Sequence, residues 1–288
     1  MGTNRKLIIT ADDFGLSLPV NEAVERAHRR GVLSAASLMV GASQAEDAIR
    51  RAKAMPSLGV GLHVTLLNGR PVLPPETVPG LVGTDGRFSD DAVRFGVALY
   101  TSSALRREAN REIEAQFERF RETGFVMDHV NGHRHFHLHP VVLDAIARLA
   151  PRFGDPPLRL PQEPYTASFQ ANRDRALARL TGTLFYSLQT RRVRRRLSQS
   201  GMTSNDHVFG LHDSGAMTEE RVLRLLEQLP QGVTEIYCHP ATRRWDGPDA
   251  PPRTYQPEAE LEALLSPSVK TKIESMNLKP LTYRAALA

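Results

Sequence analysis

A single cysteine, Cys238, occurs in 288 residues, so no disulfide can close within the chain. No run approaches the ~18 apolar residues of a membrane-spanning helix. The longest uncharged candidate, TGTLFYSLQT, is far too short. The opening stretch MGTNRKLIITADDFG has a basic start but only a handful of apolar residues before two aspartates. That pattern predicts a first strand rather than a secretory signal. Together these absences give a cytoplasmic location as the expectation. No dinucleotide-type glycine fingerprint follows the first strand, and there is no phosphate loop. No internal repeat or low-complexity segment stands out. One-sided charge is also scarce. Lys+Arg is 37 against 32 for Asp+Glu, and RRVRRR (191–196) alone supplies five arginines. Without that run the chain is formally neutral, so the basicity is one local patch. No aromatic platform accompanies these arginines, which argues against a nucleic-acid partner.

What is present is the composition of an ordinary soluble globular protein, 41% apolar and 24% charged. KLIITAD, AASLMV, LGVGLHV, VMDHVN, PLRLP, DHVFGL and VTEIYCHP read as seven strands. Helical patterns separate them: LPVNEAVERAHRRG, started by Ser17 or the turn before it and stopped by Gly31, then SQAEDAIRRAKAM, LRREANREIEAQFERFRETG, PVVLDAIARLA, a long stretch from Ala171 to about Ser198, TEERVLRLLEQLP and PEAELEALL. Strands alternating with helices imply parallel pairing. Seven or eight such units suggest a (β/α) barrel, seven-stranded and distorted, with an open doubly wound sheet as the competing topology. The expected organisation is a single domain over 1–288. It carries a Pro- and Gly-rich loop insertion at about 68–104 and an Arg-rich helical insertion at about 162–205.

In βα barrels function sits at the C-terminal ends of the strands. There the sequence places Asp12-Asp13, His63, Asn131-Gly132-His133, Arg159 and Cys238-His239. The run DHVNGHRHFHLHP holds five of the ten histidines. His133, His135 and His137 alternate, so in extended chain they would face one side, opposite Arg134 and Phe136. That side could present two or three ring nitrogens to a metal or a substrate. His129 is expected to be structural, and His139, before Pro140, to start a helix. His28, His207 and His212 are read as ordinary histidines. Asp12-Asp13 could be no more than a helix N-cap pair. Two neutral imidazoles with one carboxylate nevertheless suit zinc or a similar ion with open positions for water. A second, unligated carboxylate beside such an ion is a natural base, and the adjacent aspartates supply one of each.

TADDFG, GLHVTL, HVNGHRHFHLHP and EIYCHP together resemble the YdjC-like (ChbG) carbohydrate deacetylase family. VERAHRRGVLSAASLMVG, FGLHDSGAMTEERVLRLLEQLP and EIYCHPATR are most similar to its hopanoid-biosynthesis branch, the HpnK proteins. The resemblance covers nearly the whole chain and is weakest from about 162 to 205. It implies a βα barrel of the polysaccharide-deacetylase type, one divalent metal (zinc first, magnesium or another ion as alternatives) and removal of an N-acetyl group from an amino sugar. Carried over residue by residue, it makes Asp13, His63 and His133 the metal ligands, Asp12 the base and His239 the acid. Arg159 resembles the arginine that orients the base in related deacetylases. His137 and Asn131 complete the expected set as substrate-binding or orienting residues. Many family members have Asp where Asn131 stands and His where Arg134 stands, so the surroundings of the ligands depart from the family pattern.

The branch implies a hopanoid glycolipid as substrate, N-acetylglucosaminyl bacteriohopanetetrol converted to its glucosaminyl form. Leu177, Leu180, Leu184, Phe185 and Leu188 recur at helical spacing before RRVRRR. A helix of that kind can lie on an anionic membrane surface, giving peripheral contact through 177–197 at the inner face of the membrane. The plain alternative is a core-packed helix with a solvated tail. Chitooligosaccharide deacetylation, metal-dependent phosphoester hydrolysis and a non-enzymatic basic lipid- or nucleic-acid-binding protein stand as competing functions. A thiol mechanism through Cys238 is disfavoured for a buried strand residue. The oligomeric state is left open.

Overall fold

The structure is a computed structural model that describes residues 5–288, the side chain of Leu188 excepted. The elements run β1 (Arg5–Phe14), α1 (Leu18–Arg30), β2 (Ala35–Leu38), α2 (Ala45–Lys53), β3 (Gly59–Val64), α3 (Ala92–Thr101), α4 (Ser103–Glu122), β4 (Val130–Gly132), α5 (Pro140–Leu149), α6 (Tyr165–Asn172), α7 (Ala176–Ser200), β5 (His207–Phe209), α8 (Glu219–Glu227), β6 (Gly232–Cys238), α9 (Pro257–Leu265), α10 (Pro267–Ser275) and α11 (Tyr283–Leu287). Six strands form one parallel sheet in the order β4-β3-β2-β1-β6-β5. The central strand β1 is buried on both faces through Leu7, Ile8, Ile9 and Ala11, as a helix-covered parallel strand must be.

The sheet curves into a partial barrel, and the seventh strand expected at PLRLP is not one. Leu158 makes isolated bridges to Val130 on one side and Ser204 on the other. Pro156, Pro157 and Pro161 flank it, and a proline has no N–H to give to a ladder. Asn205 substitutes for the missing strand partner. Its side chain accepts from Leu160 N at 2.7 Å and donates to Leu160 O at 3.0 Å. The open side between β4 and β5 is thus spanned by a stapled segment that carries Arg159.

Three further expectations change. The insertion at 68–104 contains α3, capped by Asp91, whose side chain accepts from Arg94 N. The sequence hid this cap because a Ser-Asp-Asp run also reads as loop. The Arg-rich segment is two helices, because Arg173 and Arg175 both take the left-handed conformation between α6 and α7. Arg179, fully buried, then pins α7 to the body through Asp213 and Asp174. Finally, His133–Leu138 is not extended. Arg134 and His135 have φ of 53° and 56° and coil the chain into a tight turn. Ser17 caps α1 and His139 caps α5, as expected.

Candidate active site

Every proposed ligand comes from the C-terminal end of a strand, where the ladder stops and side chains can turn inward. On β1, Asp12 points into the barrel centre by strand alternation. Asp13 would then face the other way. It does not, because its φ of 63° is left-handed, a conformation that among non-glycine residues aspartate and asparagine adopt most readily. The pairing with β2 is irregular over the same residues, between Ala11 and Phe14. Both carboxylates therefore reach one rim, and the N-cap reading of the pair falls to Ser17.

Asp13, His63 and His133 each offer a ligand atom, all within 4.8 Å of one another. The Oδ1 of Asp13 lies 2.9 Å from Nδ1 of His133 and 3.3 Å from Nε2 of His63. Burial opposes the charge on Asp13, but His133 and His63 outweigh it and hold its carboxyl well below the usual range. A converging carboxylate and two imidazoles from three strand ends fit a divalent cation. The donor set does not distinguish zinc from its neighbours.

Asp12 sits behind this triad, 3% exposed. Arg159 grips it with two bonds, Nη1 to Oδ2 at 2.6 Å and Nη2 to Oδ1 at 2.9 Å. Ser37 Oγ donates a third at 2.9 Å. Burial again favours the neutral acid, but the Arg159 charge prevails and keeps Asp12 ionised far below the ordinary carboxylate range. Arg159 is itself wholly buried. Its other donors go to Glu235 at 2.6 and 2.8 Å, and its guanidinium lies 4.7 Å from the centre of the Tyr237 ring. One arginine thus neutralises an acid of the site and an acid of the barrel floor, where Tyr283 also donates to Glu235.

These groups open on a cavity of about 750 Å³, within the size range of small-molecule sites. Asp12, Asp13, His63, His133 and His239 all line it, with Tyr186, Tyr237, Trp245 and Tyr255 as aromatic walls. His239 follows β6; its backbone N–H donates to the buried Glu260, and its Nδ1 is buried without a partner among the described residues.

The histidine run separates into different roles, and not by alternation. The turn at Arg134–His135 breaks the extended path, so His133, His135 and His137 do not share a face. His133 joins the triad. His135 lines the cavity with Nε2 3.1 Å from the Tyr237 hydroxyl, and burial followed by the Arg159 charge pushes its pKa well below the usual imidazole range. His137 turns back into the core. Its Nε2 lies 3.0 Å from the Arg159 carbonyl oxygen, so it braces the arginine and does not line the cavity. His129 is fully buried between Ser37 and Asp128. Asn131 is also fully buried, between His63 and Ser37.

Sequence reasoning missed Glu235, Ser37 and the aromatic walls. Glu235 did leave a signal, since an acid inside the apolar strand VTEIYC requires a buried cation. Trp245 and Tyr255 lie in a loop whose path the sequence does not specify.

A family model described as YdjC-like protein matches residues 6–275. The chain is 33% identical over 283 residues to a carbohydrate deacetylase of Geobacillus stearothermophilus, spanning 97% of each. It is 32% identical to one of Brevibacillus brevis, over 96% of this chain and 98% of that one. A carbohydrate deacetylase of Mus musculus shares 31% identity over 92% of this chain and 89% of its own. A crystal structure from Enterococcus faecalis V583, described as a candidate cellobiose-phosphate cleavage protein, aligns with a TM-score of 0.76 at 27% identity. That alignment covers 99% of this chain and 100% of the other.

Proposed function

Because the chain belongs to the YdjC-like family, we propose that it is a carbohydrate deacetylase that hydrolyses the N-acetyl group of an amino sugar. The observation that carries this reading is the shared cavity: Asp12, held in its ionised form beside Arg159, the Asp13–His63–His133 triad and His239 all face it. Amide hydrolysis needs a water made nucleophilic and a proton delivered to the amine. Asp13, His63 and His133 would hold a divalent cation, which polarises carbonyl groups and lowers the pKa of water to about 7. That matters because Asp12 is a weak base as Arg159 holds it. What Asp12 itself supplies is a fixed negative charge held in position by Arg159 and Ser37. Asp12 takes the proton as the water oxygen bonds to the acetyl carbon. His239 gives a proton to the sugar nitrogen as the C–N bond breaks, and acetate and the free amine leave. Tyr186, Tyr237, Trp245 and Tyr255 offer flat faces for the sugar ring.

The finer reading is a glycolipid substrate, N-acetylglucosaminyl bacteriohopanetetrol, taken at an anionic membrane surface. What supports it is α7. Leu177, Leu184 and Phe185 are 73%, 58% and 58% exposed, a large apolar display on one helix. Seven residues beyond Leu184 stands Arg191, on the same side of the helix, and Arg191, Arg192, Arg194 and Arg195 are all exposed. Phe185 touches Tyr186, a wall of the cavity. No helix is long and apolar enough to cross a membrane among the described residues, so the contact would be peripheral.

Protein supplied with zinc and either an N-acetylglucosaminyl glycolipid or acetylated chitobiose should release acetate, read as the mass loss of one acetyl. Phosphate release from phosphoesters without acetate release would replace the deacetylase reading with the phosphoesterase one. Replacing Leu184 and Phe185 by serine should weaken sedimentation with anionic vesicles by roughly tenfold or more, since each buried side chain is worth ~1.5–3 kcal/mol. Chitobiose turnover should be unchanged. Equal sedimentation would remove the membrane reading and leave the deacetylase reading standing.

A further inference from the structure

On α3, Val93, Val97 and Tyr100 are 78%, 59% and 55% exposed. They stand four and three residues apart and so form one stripe. The opposite side of the helix is already packed. Phe95, Gly96 and Leu99 are buried, and Phe95 stacks on Phe136 with ring centres 5.3 Å apart. A surface helix needs one apolar stripe to hold it to the core; α3 carries a second, turned outward.

The stripe starts at the rim of the cavity. Asp90, just before α3, lines the cavity, and Arg134, also in its wall, donates to the Asp90 carbonyl oxygen at 2.7 Å. α7 flanks the same turn. Its Tyr186 meets His135 at 6.0 Å between ring centres, one residue before the Phe136 that Phe95 covers. The charge on both helices has one sign. From 92 to 107 the charged residues are Arg94, Arg106 and Arg107, and from 176 to 200 every charged residue is an arginine. The acids at the two ends of the first segment, Asp91 and Glu108, accept from Arg94 N and Gly80 N. Arg106 Nη1 donates to the carbonyls of Leu99 and Tyr100 at 3.1 and 2.6 Å, which fixes a guanidinium at the end of the stripe. Apolar side chains fringed by arginine complement an anionic lipid surface. A second copy of this chain fits less well, because it would set arginine against arginine. A ten-residue helix also offers a face of only roughly 15 by 10 Å, where a stable dimer buries ~800 Å² per partner.

We propose that Val93, Val97 and Tyr100 are a second membrane-contact face, and that α3 and α7 together seat the cavity rim on an anionic leaflet. This rests on the reading of α7 as a peripheral membrane helix and extends it. One helix would attach the protein but leave it free to roll about that helix's axis. Two helices beside one turn fix which way the cavity opens, so a sugar headgroup enters while its lipid part stays in the leaflet.

The test uses vesicles of equal parts phosphatidylcholine and phosphatidylserine. In Val93→Ser/Val97→Ser both positions are exposed and serine has about the helix propensity of valine, so the fold is kept. Sedimentation of this variant with the vesicles should weaken about tenfold. Turnover of an N-acetylglucosaminyl glycolipid held in them should fall by a similar factor, with acetylated chitobiose turnover unchanged. Tyr100→Trp should add blue-shifted emission on the vesicles, read against the unaltered protein, whose only tryptophan is Trp245. An equal shift on phosphatidylcholine alone overturns the anionic choice. Unchanged sedimentation of Val93→Ser/Val97→Ser, while Leu184→Ser/Phe185→Ser loses it, overturns the proposal and leaves the α7 contact standing. A dimer of the unaltered protein that the α3 variant dissolves, with sedimentation unchanged, assigns the stripe to a second copy and overturns it too. No sedimentation of the unaltered protein overturns both membrane readings and leaves the deacetylase reading intact.

Discussion

Asp12→Asn is expected to keep its metal and lose turnover by about 10²–10⁴-fold, the contribution of a positioned general base. The variant still fits its place, since asparagine can accept from Ser37 Oγ and from one Arg159 nitrogen, and Arg159 keeps both bonds to Glu235. The charge that takes the water's proton is removed, with one of the two Arg159 bonds. His63→Ala and His133→Ala are the contrasting pair, because each removes one of three donors within 4.8 Å and should lose the ion and the activity together. Metal content by mass spectrometry and acetate release, measured on the same preparations, separate the roles. Full turnover by Asp12→Asn would reject the base assignment. Zinc retained at unchanged affinity by both alanine variants would reject the ligand set.

Arg159→Met is the second large effect, and it falls on stability. The arginine is fully buried between two acids, Asp12 and Glu235. Removing one partner of a buried ion pair leaves an uncompensated charge, at about 3–5 kcal/mol. Two stranded carboxylates put this variant at the upper end, read as a lowered urea midpoint at neutral pH. The effect depends on pH with a definite sign. Asp12 has its folded pKa depressed below the ordinary value. Its contribution is therefore present above the unfolded pKa of about 4 and is lost as pH falls below it. The gap between the unaltered protein and Arg159→Met should narrow on acidification, starting above about pH 4, because burial without Arg159 raises the stranded Asp12 carboxyl and protonation there relieves the variant first. A gap that is constant with pH would show that packing of the side chain, not its charge, is what the core loses. Turnover should fall as well, because Asp12 loses the two bonds that aim it.

Much of the site was legible because strand ends are where a parallel barrel puts its chemistry. Asp12-Asp13, His63, His133 and His239 are polar groups at the ends of apolar runs, and that contrast survives in one dimension. The number of strands was less legible. PLRLP has the apolar pattern of a strand, yet its flanking prolines withhold the donors a ladder needs. The outcome depended on Asn205, 45 residues from Leu160, which no local pattern discloses. The histidine run misled for a related reason. Alternation implies a shared face only if the chain stays extended, and the left-handed turn at Arg134–His135 sends His137 into the core to hold Arg159.

By itself the sequence determined that β1 to β6 alternate with helices and that acids and imidazoles gather at their ends. Hydrophobic period and residue chemistry are local properties that survive without coordinates. Only the tertiary structure decided which neighbours share a charge. It turned Asp13 inward through a left-handed residue, brought Arg159 between Asp12 and Glu235, and set Asn131 against His63. Those pairings join residues far apart in sequence, and burial makes each strong by excluding the water that would otherwise screen it.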